Sequence, residues 1–98
     1  TEPMQDWINE HAWESTWQRE GLPRSTRSLV TIAMLAALKA PKELQGHVRG
    51  ALNNGCTVSE IQEVLLHSAV YCGAPAAQEA FRAAQEVIDE WQQAHPPG

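Results

Sequence analysis

The sequence predicts a single all-α domain, on three observations. Helix start and stop signals recur through all 98 residues. No stretch shows the apolar alternation of β-branched residues that a strand needs. Gly and Pro fall between the apolar segments, at Gly21, Pro23, Pro41, Gly55, Gly73 and Pro75, where they punctuate helices and do not break them.

The first helix is expected from Glu2 or Pro3 to Gln18, with Trp7, Trp13 and Trp17 joined by Ile8 and Ala12 on an apolar side. Gly21 and Pro23 end it. The second runs from about Arg24 to Lys39 and is apolar from Leu29 to Leu38 except at Thr31. Being apolar on all sides, it is expected at the centre of the fold. The third starts at Pro41, a residue suited to a first helical position, and stops at Asn54-Gly55, which suits a left-handed C-terminal cap. Thr57 and Glu60 then spell a capping box for a fourth helix that reaches about Tyr71. Ile61, Val64, Leu65, Ser68 and Cys72 form one stripe on it, and Leu66, Ala69 and Val70 another, so burial on both faces is expected. Pro75 opens a fifth helix, which ends near Trp91 before the tail from Ala94.

Composition narrows the function. A hydrophobic fraction of 43% and a charged fraction of 19% describe an ordinary globular domain. Mean hydropathy of -0.38 and the lack of a long apolar run exclude a membrane-spanning chain. The net charge of -5 disfavours a nucleic-acid partner, which would need a basic face. So small a domain leaves much of its surface exposed, so self-association is expected. Cys56 and Cys72 are too few for a disulfide framework and have no zinc-site spacing, which suits a reducing cytoplasm.

The residues able to carry chemistry cluster between Trp13 and Asn54. Pro41 starts the third helix, so Glu43 and His47, at i and i+4, share one face, while Arg49 points elsewhere. His47 titrates near neutrality and is the candidate proton donor or oxyanion stabiliser. Glu43 is the candidate that orients His47 or acts as the acid itself; a plain surface pair is the alternative. Arg19 and Arg27 are candidates for holding carboxylates through guanidinium forks, against the alternative of helix-start charges paired with Glu14 or Glu20. Arg24 and Arg49 take supporting roles. Trp13 and Trp17 are candidate apolar walls, although tryptophan at helical spacing is more often core or interface. His67, embedded in an apolar run one turn after Glu63, reads as a satisfied core or interface histidine. No metal site is demanded by the spacing of His47, Glu43 and His67.

A set of motifs spans nearly the whole chain: Ala12-Trp13, the stretch Trp17 to Leu22, Arg27 to Leu29, Glu43 to Gly55, Glu60-Ile61, and Val70 to Ala77. In order and spacing this set resembles the carboxymuconolactone decarboxylase family. The resemblance implies an AhpD-like helical subunit assembled as a hexameric ring, with residues 1–98 as one domain. It also implies a further N-terminal segment before the part matching Thr1. The implied activity is cofactor-free decarboxylation of 4-carboxymuconolactone to the β-ketoadipate enol-lactone in aromatic catabolism. Two other readings stay open: a decarboxylase or isomerase of another unsaturated lactone or β-keto acid, and a non-catalytic helical binding protein. The thiol peroxidases of the same superfamily carry Cys-x-x-Cys-x-x-x-His where this chain has Ala40, Glu43 and His47, and a Glu where it has Ser28. Without those thiols, peroxidase chemistry is not expected.

Overall fold

The computed structural model describes residues 2–96, without the side chains of residues 12–14. All regular structure among them is helical. The elements are α1 (Glu2–Ile8), a π-helical segment (Asn9–Glu14), α2 (Arg24–Ala37), α3 (Pro41–Asn53), α4 (Val58–Cys72) and α5 (Ala74–Ala94). Helices α2 to α5 form the body: α2 packs on α3 and α4, and α5 closes the ring by packing on the same two. The core lies between these four. Ile32, Leu44, Val48, Ile61, Leu65, Val87 and Ile88 are essentially inaccessible to solvent, and burying one such side chain contributes roughly 1.5–3 kcal/mol. On α5 the buried face is mostly alanine, Ala76, Ala77, Ala80, Ala83 and Ala84, which lets neighbouring backbones come close.

Three helix ends follow directly from local chemistry. At α4, Glu60 N–H donates to Thr57 Oγ1 at 3.0 Å, and Thr57 N–H donates to Glu60 Oε1 at 2.8 Å, completing the capping box. At the end of α3, Gly55 adopts φ 97°. Its N–H reaches the Leu52 carbonyl and that of Cys56 reaches Ala51, the paired bonds of a Schellman cap. Helix α2 ends the same way, with Lys39 in the left-handed position at φ 56° and bonds from Lys39 to Ala36 and from Ala40 to Leu35. It stops at Ala37, short of Lys39, because Pro41 disfavours helical geometry at Ala40.

The single first helix expected to Gln18 is instead interrupted. After Ile8 the chain widens to π geometry, where Ser15 N–H reaches back five residues to the Glu10 carbonyl. Thr16 Oγ1 donates to the carbonyl of His11, giving the backbone a partner outside the α-helical pattern. The chain then runs through turns into Pro23. Helix α1 buries no residue, and Trp7 is exposed, so it forms no buried apolar side within the chain.

The all-round burial expected of α2 and α4 is not observed. Val30, Met34 and Leu38 on α2, and Leu66, Val70 and Tyr71 on α4, are exposed. A four-helix body has one interior, so each helix finds a partner for one side only. His67 is likewise exposed and is not a core histidine; its ring meets Tyr71 at a centroid distance of 5.2 Å. Among the described residues no helix is long and apolar enough to cross a membrane.

Candidate active site

The buried stripe of α2 is Ser28, Ile32 and Ala36, each one turn from the next. Extending that register one turn toward the N-terminus reaches Arg24, the first residue of the helix. Arg24 and Ser28 therefore face α3 across a cavity of about 370 Å³. From α3 the cavity is lined by Glu43, Gly46, His47 and Gly50, with Asn54 just beyond the helix end. Trp17, on the turns that precede α2, supplies an aromatic wall.

Trp17 and His47 stack, with ring centroids 6.2 Å apart and planes inclined by 24°. Partial burial holds the His47 imidazole below its ordinary pKa of about 6.5, because desolvation penalises the cation. Glu43 is exposed in the first turn of α3 and shares the cavity wall with His47. Gly46 and Gly50 stand one turn apart on the same wall. A Cβ added at either would meet no atom within 4 Å, so both face open space and not packed neighbours.

Among the described residues lining the cavity, Arg24 is the one permanent cation. It stands at the start of α2, where Pro23 provides no side-chain cap and the helix dipole favours an anion. Arg27, one residue short of a turn further on, lines an adjoining cavity of about 210 Å³ on the other side of Trp17, together with Leu22, Val30 and Met34. Its Nη2 donates to the Arg19 carbonyl at 3.3 Å, and its buried Nε has no partner among the described residues. Arg19 itself is exposed. The structure thus brings His47, Glu43 and Trp17 together with Arg24, sets Arg27 in the adjoining cavity, and leaves the expected clamp residue Arg19 lining neither. The side chain of Trp13 lies outside the described residues. Arg49 turns away to face Glu90 at 3.8 Å, a surface pair of little energetic weight.

Sequence reasoning gave Arg24 only a supporting role, behind Arg19 and Arg27, and did not single out Ser28 or the two glycines as cleft residues. The signal was present in the four-residue register that links Arg24 to Ser28, Ile32 and Ala36. Cys56 is buried, donates from Sγ to the Ser25 carbonyl at 3.4 Å, and has its thiol pKa pushed up by burial and then by the Glu60 charge. Cys72 is exposed on α4. Neither cysteine lines the His47 cleft.

A histidine, an arginine and a carboxyl group thus line one small cleft of this helical domain. Residues 2–86 match the carboxymuconolactone decarboxylase family, and the chain belongs to that family. It is 49% identical over 90 residues to the nitrosuccinic acid decarboxylase npaB of Metarhizium robertsii, covering 92% of this chain and 63% of that protein. It is 47% identical over 87 residues to the 4-carboxymuconolactone decarboxylase of Acinetobacter baylyi, covering 89% of this chain and 65% of that one. The chain therefore spans just under two thirds of the length of these relatives.

Proposed function

We propose that this chain is a cofactor-free decarboxylase whose substrate is 4-carboxymuconolactone and whose product is the β-ketoadipate enol-lactone. The observation that carries the reading is the cleft in which His47 and Arg24 converge, in a chain of this family. The substrate is its own electron sink. Its departing carboxylate sits on the γ-carbon of a lactone whose double bond is conjugated with the ring carbonyl. Breaking the carbon–carboxylate bond sends the electron pair through that double bond onto the carbonyl oxygen, and the resulting dienolate takes a proton on carbon.

The protein must hold a dianion, stabilise the new oxyanion and deliver one proton. Arg24, assisted by the start of α2, holds a carboxylate. His47 hydrogen-bonds the developing oxyanion or donates the proton, with Glu43 on the same helix face to orient it or relay the proton. Trp17 keeps water from the departing carboxylate, whose charge disperses as carbon dioxide leaves. Arg27, which lines the adjoining cavity with Trp17, would serve a carboxylate that extends past the indole. Incubation with 4-carboxymuconolactone is expected to release carbon dioxide and form the enol-lactone. A folded protein without turnover would refute the reading.

A second substrate reading, nitrosuccinic acid, is favoured by the relative from Metarhizium robertsii. Assembly into a homo-oligomer, a hexameric ring by resemblance, is supported by Val30, Met34 and Leu38 on α2 and by Leu66, Val70 and Tyr71 on α4, apolar side chains that stay exposed among the described residues. Sedimentation should give a mass several times that of the chain; a monomer would exclude the ring. Two free cysteines fit a cytoplasmic setting.

A further inference from the structure

The two acids just considered share half of their structure. Each is a succinate whose C2 bears the departing carboxylate and an electron sink, while the CH2–carboxylate arm stays in the product. In one acid the sink is a nitro group; in the other it is the unsaturated lactone ring. Resting on the decarboxylase reading above, we propose that this cleft recognises a 2-substituted succinate through its retained carboxylate and leaves the sink open, so that both acids are substrates of one site.

The walls of the cleft differ in the manner this requires. Arg24, fixed in charge and set at a helix start, marks one position where a carboxylate must lie. On α3 the wall beside His47 is bare backbone at Gly46 and Gly50. Bare backbone offers no side-chain shape to match, so a planar group of either outline can lie against it. Neither glycine is needed for packing, because each added Cβ would point into open space. A cavity of about 370 Å³ is at the small end of ligand sites, roughly 300–1,000 Å³, and suits acids of this size.

The chemistry balances without an oxidant or a cofactor. In 2-nitrosuccinate the C2–carboxylate bond breaks, carbon dioxide leaves, and the electron pair moves onto a nitro oxygen as a nitronate. One proton added at C2 then gives 3-nitropropanoate. In the lactone the same bond breaks, but the proton is added at the ring carbon beside the carbonyl. The two reactions share bond cleavage and differ in where the proton goes, which places the common recognition at the succinate arm.

The test compares three acids on the purified protein, after subtraction of spontaneous carbon dioxide loss: 4-carboxymuconolactone, 2-nitrosuccinate and 2-nitropropanoate. The last keeps the sink and the departing carboxylate but has a methyl group in place of the retained arm. Turnover of the first two is expected, with kcat/KM for 2-nitropropanoate at least 100-fold below that for 2-nitrosuccinate. Arg24→Gln should shrink that ratio at least tenfold, and Gly50→Ala should slow the lactone more than the nitro acid. Equal handling of the two nitro acids by the unmodified protein overturns succinate recognition. An unchanged ratio in Arg24→Gln overturns the role of Arg24, and equal slowing in Gly50→Ala overturns the open wall. Turnover of the lactone alone overturns the inference and leaves the proposed function standing, whereas turnover of neither acid overturns both.

Discussion

The indole of Trp17 stacks on the imidazole of His47 at a centroid distance of 6.2 Å, joining the turns before α2 to the middle of α3. That contact forms one side of the cleft, in which the His47 imidazole is partly buried. Replacing His47 should therefore test chemistry with little cost to the fold, since the residue is only half-buried. His47→Gln is expected to lower kcat by about 10²–10⁴-fold, the usual contribution of a positioned acid or base. Circular dichroism and sedimentation should match the unmodified protein; activity within a factor of a few would remove His47 from the mechanism.

The depressed pKa of His47 has a defined sign in two measurements. In the unfolded chain the imidazole takes up its proton near pH 6.5, and in the folded chain at lower pH. The unfolded state thus binds more protons between those values, so stability is full above pH 6.5 and falls as pH drops through the folded pKa. Denaturant midpoints should show this loss, and His47→Gln should lack it. A bound dianion favours the imidazolium, so the basic limb of kcat is expected at higher pH than that of kcat/KM. Coincident limbs would argue against an anion beside His47.

Arg24 and Arg27 are expected to fail differently. Arg24 is exposed and lines the cleft, so Arg24→Gln should raise KM by about 10- to 100-fold, the equivalent of a charged hydrogen bond worth roughly 1.5–3 kcal/mol, at unchanged melting temperature. Arg27 is partly buried and ties the Arg19 carbonyl to α2, so Arg27→Ala should lower the melting temperature along with activity. Thermal melts recorded beside the kinetics separate the two. A stable Arg27→Ala protein with raised KM would move the carboxylate to the adjoining cavity.

Gly50→Ala should stabilise the protein while impairing it. Glycine inside a helix costs roughly 0.5–1 kcal/mol relative to alanine, and here the added methyl group meets nothing. Chemical denaturation should shift to higher denaturant as lactone turnover drops. Loss of stability would show that α3 needs the glycine for packing within an assembly.

Lys39 offers a stability test remote from the site. Its φ of 56° is one that glycine adopts freely and lysine does not. Lys39→Gly is expected to stabilise the fold by about 0.5–1 kcal/mol without change in activity, read as a higher denaturant midpoint at constant m-value. A lower midpoint would mean that flexibility gained by the unfolded chain outweighs the relief.

The helices themselves were legible from sequence because their boundaries are set within a few residues. Pro41 opens α3, Gly55 closes it, and Thr57 with Glu60 caps α4, each through contacts that span less than two turns. Glu43 and His47 on one face follow from the same local geometry. What lay beyond the sequence depends on how the helices meet. The rotation of α2 against α3 decides that Arg24 and not Arg27 reaches the His47 cleft, and a difference of three residues on a 3.6-residue helix is enough to change the cavity a guanidinium enters. The turns between the π-helical segment and Pro23 likewise carry Trp17 onto His47, a meeting of residues 30 apart in sequence that no local signal announces. Local chemistry determined which residues are helical and which side chains can exchange protons or pair with anions; packing between segments distant in sequence decided which of them share a cleft.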